Sequence, residues 1–192
     1  SSASYTNKCR SGLNSDNCAA VPSRRSTHSN SSTMQKAGQI EPNFADHEDT
    51  FQRRVQALVK DLHSPVADIQ SIAVKELRLL AKHNTEDRII IAKSGAVLPL
   101  VSLLHSADPE TQENAVTALL DLLINNNNKD LISAANPVDP LVHVLAVGTQ
   151  AARENAAAAL FALCTIGENK ILIGQSEAIP LLIDLLVNGS PR

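Results

Sequence analysis

Tryptophan is absent, and aromatic residues make up only 2% of the 192-residue chain. With so few rings, nucleic-acid bases would find little to stack on. Charge of one sign is lacking too: basic and acidic residues are mixed, for a net charge of −3. That leaves no electrostatic footprint for a phosphate backbone, so no nucleic-acid partner is expected. No apolar run approaches the roughly 18 residues of a membrane span, and the N-terminus lacks a signal peptide's apolar centre. No membrane span is expected, and the chain reads as soluble, with a cytoplasmic or nuclear location. Cysteines number three, an odd count without a disulfide-like arrangement. Cys164 suits a small core position, while Cys9, Cys18 and His28 do not have a zinc spacing, so a reduced compartment fits better. Glycine is sparse as well. Gly95, Gly148 and Gly167 stand singly at helix junctions, and no phosphate-binding loop exists.

What is present is Leu, Ile, Val and Ala, the bulk of an apolar content of 43%, and it recurs. In residues 108–123, DPETQENAVTALLDLL, Asp108 can cap a helix, Pro109 suits its first turn, and Glu110 and Glu113 favour its positive end. Ala115, Leu119, Leu122 and Leu123 then fall on one helical face, with Ala118 beside them. Glu113-Asn114-Ala115 returns as Glu154-Asn155-Ala156, 41 residues on, and Val101 and Leu104 return as Val142 and Leu145, then as Ile183 and Leu186. Val59, Leu62 and Ala73 stand 42 residues before Val101, Leu104 and Ala115. A period of 41 to 42 held over three steps is an internal repeat.

In order, residues 1–48 are Ser/Asn-rich and aperiodic, which reads as a disordered linker. Arg24-Arg25-Ser26-Thr27 and the glycosylation-like sequences at Asn30 and Asn188 are read as chance features of polar segments. Residues 49–192 form the repeat domain. Phe51, Val55, Leu58, Val59 and Leu62 predict an amphipathic first helix. A longer one follows over 68–82, with Ile72, Ala73, Leu77 and Leu80 inward, and a short one from the Asn84-Thr85 cap through Ile91. The cycle of medium, long and short helices restarts at 97–104, 109–124 and 129–135, with Asn125 to Asn128 as a turn. It restarts again at 138–147, 150–166 and 169–175, and 179–187 opens a fourth unit. The sequence stops before that unit's long helix, so the apolar face around Leu182, Ile183, Leu185 and Leu186 is expected to be uncovered. The chain is therefore expected to be a fragment, marginally stable or self-associating.

Three helices per ~41 residues is the period of armadillo repeats, and the residues agree. SGAVLPLVSLL at 94–104 resembles the armadillo turn and second helix, and QENAVTAL at 112–119 and RENAAAAL at 153–160 resemble its third helix. With GENK at 167–170 and LRLLAKHN at 77–84, they resemble the armadillo region of plant U-box ubiquitin ligases of the spotted-leaf type. The resemblance implies an all-α, right-handed α-solenoid of about three repeats plus the start of a fourth. It further implies a protein-protein interaction module, the substrate-recognition part of a U-box-type E3 ubiquitin-protein ligase. No U-box is present in this chain, so a ubiquitin-conjugating enzyme would be met only through one that this chain does not carry. A non-ligase adaptor or a transport-receptor-like scaffold is the rival reading.

In that family the long third helices line a groove. The positions matching the Trp/Asn pair of import receptors and catenins are Lys75 and Leu79, Thr117 and Asp121, and Ala158 and Ala162. None is Trp or Asn, which argues against peptide capture of the import type. One turn earlier come Ser71, Glu113 and Glu154. Glu113, Asp121 and Glu154 would then form an acidic stripe suited to a protein segment carrying Lys or Arg, with merely solvated helix faces as the alternative. His63, His105 and His143 are not expected to bind one metal, since repeat layers lie ~10 Å apart. His105, Ser106 and Asp108 share a turn without the geometry of a hydrolase triad. No catalytic residue, metal or cofactor is expected.

Overall fold

A computed structural model describes residues 44–189, with side chains from residue 48. Cys9, Cys18, His28, the Arg24-Arg25-Ser26-Thr27 stretch and the sequence at Asn30 lie outside the described residues. The helices come in the expected cycle. α1 spans Phe44–Leu62, its first turns falling within the stretch assigned to the linker, and α2 spans Ala67–His83. The next unit holds α3 (Thr85–Ile91), α4 (Val97–Leu103) and α5 (Pro109–Leu123). After it come α6 (Lys129–Ser133), α7 (Val138–Val147) and α8 (Gln150–Leu163), then α9 (Gly167–Gln175) and α10 (Ala178–Asn188).

Local chemistry sets these boundaries. The Asp108 carboxylate accepts from the Thr111 amide at 2.9 Å, with Pro109 in the first turn of α5. Hydrogen bonds from the Thr111 hydroxyl, then from its amide, hold the Asp108 carboxyl below its ordinary range. The stability this supplies is present at neutral pH and is lost as pH falls through the lowered value. Asn84 caps α3 by accepting from the Glu86 amide, and Thr149 caps α8 through Ala152. Between the short and medium helices the chain turns through the left-handed region, at Gly95 (φ 89°) and again, 41 residues on, at Asn136 (φ 51°). Glycine and asparagine are the residues that reach this region at least cost. At Gly148 a Cβ would meet the Val144 carbonyl oxygen at 2.7 Å, so only glycine permits the close turn from α7 into α8.

A bond that recurs with the repeat ties each medium helix to the long one after it. The Gln70 amide donates to the Leu62 carbonyl (3.2 Å), Gln112 to Leu104 (2.9 Å), and the Arg153 guanidinium to Leu145 (3.0 Å). Helix C-termini leave such carbonyls without intrahelical partners, so one position of the repeat satisfies the same orphan three times. The long helices α2, α5 and α8 pack in series, α5 between the other two. Val74, Leu77, Ala115, Leu119, Ala156 and Leu160 form much of the continuous core between them.

One inward expectation fails. Ile72 is 63% exposed, and Val74 is buried in its place. Ile72 is the repeat equivalent of Asn114 and Asn155, whose side chains reach back to the preceding long helix. Among the described residues no counterpart of α5 or α8 from a preceding repeat packs on this side of α2, so Ile72 faces solvent. Leu80, expected inward, is partly buried against the core.

Candidate interaction surface

Residues one full period apart lie one layer apart, so contacts between layers join residues slightly less than a period apart. Lys75 pairs with Glu110 at 2.9 Å, 35 residues on. Arg78 donates to Asn114 at 2.8 Å, Thr149 to Glu113 at 2.6 Å, and Asn155 to Thr117 at 2.8 Å, over 36, 36 and 38 residues. These bonds hold the exposed flanks of α2, α5 and α8 in register. They therefore order the surface on which the candidate residues stand.

Three rows cross the long helices. In the first, Ser71, Glu113 and Glu154 are all half-buried, and each carboxylate is engaged, Glu113 by Thr149 and Glu154 by Gln150 at 3.0 Å. In the second, Lys75 is exposed and ion-paired, Thr117 accepts from Asn155 while its hydroxyl donates to the Glu113 carbonyl, and Ala158 is open. In the third, Leu79 is exposed, Asp121 is half-buried and Ala162 packs partly on the core. The structure places Glu113 and Asp121 two turns apart on one helix rather than side by side.

The surroundings of Asp121 could not be read from the acidic pattern. Burial pushes its carboxyl above the ordinary range, against the opposing pull of Arg88, Arg78, Lys82 and His83. Those cations stand on α2 and α3, so the surface beside Asp121 carries both signs. The repeat offset was the signal that could have found Arg78, since it aligns α2 with the following long helix. A raised carboxyl makes ionised Asp121 a stability cost, absent below the unfolded-state value and acquired as pH rises through the folded one. Asp121→Asn is accordingly expected to raise the melting temperature at pH 7. Thermal melts at pH 7 and pH 3 check this, with the gain vanishing at pH 3.

The histidines need a correction. His63 and His105 keep to separate layers, but the rings of His105 and His143 stand 4.7 Å apart, tilted by 44°. They are 38 residues apart, within the offset that joins neighbouring layers, so the layer spacing does not separate them. They border a cavity of about 420 Å³ with Ser106, Gln112 and Thr149. Among the described residues no group of three or more His, Cys, Asp or Glu could hold a metal ion. Asp108 is turned toward Thr111, and its own amide donates to Ser106, so these residues do not converge as a triad. Among the described residues no single helix is long and apolar enough to cross a membrane.

Helical units stacked at a 41-to-42-residue period, with long helices in series, are the arrangement of an armadillo α-solenoid, and that is the fold of the described residues. The profile of the Armadillo/beta-catenin-like repeat matches residues 84–123. The chain is similar to U-box domain-containing protein 4 of Arabidopsis thaliana, with 58% identity over 74 residues, 38% of this chain and 9% of that protein. It is also similar to the E3 ubiquitin-protein ligase SPL11 of Oryza sativa subsp. japonica, with 54% identity over 70 residues, 36% of this chain and 10% of that protein. The matched stretch thus spans about a tenth of these relatives. Among solved structures, the designed armadillo repeat protein YIII(Dq)4CqI superposes with a TM-score of 0.64 at 27% identity, over 71% of this chain and 58% of that one. A related design, YIII(Dq.V1)4CPAF in complex with the peptide (KR)4, gives a TM-score of 0.64 at 21% identity, over 79% and 72%.

Proposed function

We propose that this chain is the substrate-recognition module of a U-box-type ubiquitin ligase, binding an extended protein segment across the exposed faces of α2, α5 and α8. The observation that carries the reading is the register of those faces: three rows of side chains are held at fixed spacing by bonds between layers. A rigid row of this kind can present regularly spaced contacts to an extended backbone. Similarity to plant U-box proteins over 74 and 70 residues supports the ligase context. The segment carries Lys or Arg, because Asp121 is a half-buried carboxylate without a hydrogen-bond donor, and Glu113 and Glu154 stand two rows away on the same helix faces. Single exposed charge contacts are weak, so selectivity comes from several engaged together.

In this reading the chain transfers no ubiquitin itself. The same reading puts the chain in the cytoplasm, the nucleus or both. The ligase context is tested by reading the coding sequence upstream of the Ser1 codon and assaying the longer product with a ubiquitin-conjugating enzyme. A U-box there and ubiquitin transfer by that product are expected. An upstream sequence without a U-box contradicts the ligase reading and leaves an adaptor.

A further inference from the structure

The three long helices do not carry the same charge on the face that their rows share. On α2, Ser71, Lys75, Arg78 and Lys82 follow at i, i+4, i+7 and i+11, one stripe of a helix. The repeat supplies the comparison: Arg78 is equivalent to Leu120 and Phe161, and Lys82 to Ile124 and Thr165. At these positions only α2 carries cations. The carboxylates fall the other way, with Glu113 and Asp121 on α5 and Glu154 on α8, where α2 has Ser71 and Leu79. Of the two acids of α2, Asp68 lies in the first turn and Glu76 pairs with Arg54 of α1 at 3.1 Å. The face therefore runs from basic on α2 to acidic on α5 and α8.

The basic end is held in place. Arg88 of α3 donates from Nε to the Ala81 carbonyl at 2.7 Å and from Nη2 to the Lys82 carbonyl at 2.9 Å. Arg78 donates from Nη1 to Asn114 at 2.8 Å. Both guanidiniums are half-buried, and among the described residues their other nitrogens make no further hydrogen bond. Lys82 and His83 are exposed, and among the described residues their side chains make no hydrogen bond or ion pair. Every charged group that acts on Asp121 is one of these four basic side chains. One carboxylate thus faces two guanidiniums, an ammonium and an imidazole, and donors are in excess.

We propose that the bound segment is of mixed charge: an acidic side chain sits on α2 against Lys82 and the free edges of Arg78 and Arg88, and basic residues follow on α5 and α8. This takes the long-helix faces to be a segment-binding surface and adds to it a position of opposite sign. A guanidinium already fixed by the protein loses little freedom when it meets a carboxylate, which favours the contact. Layers ~10 Å apart and a rise of ~3.3 Å per extended residue set the acid about three residues from the first basic position, and that one about three from the next. A wholly acidic segment is still repelled by Glu113, Asp121 and Glu154. The chain carries a net charge of −3, so an added acid weakens non-specific attraction and helps only where it meets the cations of α2.

The test is fluorescence anisotropy with labelled peptides on the 192-residue chain, at low salt, where exposed charge contacts are least screened. Ala-Ala-Ala-Lys-Arg-Ala-Lys-Arg is the reference. Glu-Ala-Ala-Lys-Arg-Ala-Lys-Arg and its reversal, Arg-Lys-Ala-Arg-Lys-Ala-Ala-Glu, carry the acid at one end, because either chain direction presents the same order of charges. Lys-Arg-Ala-Glu-Ala-Ala-Lys-Arg has their composition with the acid inside. At least one end-acid peptide is expected to bind about three- to fivefold more tightly than the reference, the upper range for one exposed ion pair. The internal acid is expected to bind no better than the reference. In Lys82→Glu, a change at an exposed side chain, the end-acid peptide is expected to lose its advantage over the reference. No gain from an acid at either end, an equal gain from the internal acid, or a gain that survives Lys82→Glu overturns the proposal while leaving basic-segment binding in place. Binding of none of the four peptides overturns the segment reading itself, and the proposal with it.

Discussion

Leu119→Ala is expected to remove about 3 to 5 kcal/mol of stability, a large fraction of the roughly 5 to 15 kcal/mol that a folded domain holds. Leu119 is fully buried in α5, the long helix with packed neighbours on both sides. Truncating it deletes the contacts of a branched side chain and leaves a void that rigid helices on two flanks fill only in part. In a stacked array, stability is the sum of units and of the interfaces between neighbours. A lesion in the central helix weakens its own unit and two interfaces at once. Urea unfolding followed by circular dichroism should show the midpoint collapse, and the transition should broaden as the outer units uncouple. The exposed Leu79→Ala on α2 is the control, with a change within about 0.5 kcal/mol.

Asn128→Ala is expected to cost about 2 to 3 kcal/mol, more than a turn asparagine ordinarily carries. The Asn128 side chain is buried, and its amide donates to the Leu122 carbonyl at the end of α5 and to the Arg88 carbonyl of α3, each at 3.1 Å. It therefore joins two units through carbonyls that also accept a backbone amide each, Asn125's on Leu122 and Ala92's on Arg88, and its truncation removes the two bonds between units. Asn169, 41 residues on, is likewise buried but donates to the side-chain hydroxyl of Ser133, at 2.9 Å. Asn128→Asp separates hydrogen bonding from size. It keeps the shape but sets a carboxylate against two carbonyl oxygens, so the buried carboxyl takes a raised value. That penalty is present at neutral pH and relieved as pH falls through the raised value, where the protonated acid donates again. Urea midpoints should place Asn128→Asp below Asn128→Ala at pH 7 and narrow the gap toward pH 4.

The helical cycle was legible because each unit solves the same packing problem with the same residue types. Asp108, Asn84 and Thr149 cap helices by chemistry that depends only on neighbours in sequence. Interactions between layers were less legible. Asn128 reads as part of a polar turn, since its partners are backbone carbonyls and every residue carries one. Ile72 reads as core because an apolar stripe does not say whether the long helix of a preceding repeat packs on it. His105 and His143 were set apart by counting whole periods, whereas contacts across layers fall a few residues short of one. For the surface, the rows were readable from the period. The cations around Asp121 were not, because they arrive from α2 and α3, roughly a repeat earlier in sequence.

The central claim is that these rows recognise a basic protein segment, and fluorescence anisotropy with a labelled (Lys-Arg)4 peptide tests it most directly. The chain should be titrated beside Glu113→Lys/Asp121→Lys/Glu154→Lys, with an (Asp-Glu)4 peptide as control. The account predicts saturable binding of the basic peptide alone, weakened at least about tenfold by the triple reversal, since several charge contacts are lost together. Equal affinity for both peptides, or an affinity unmoved by the reversal in a folded variant, would contradict it.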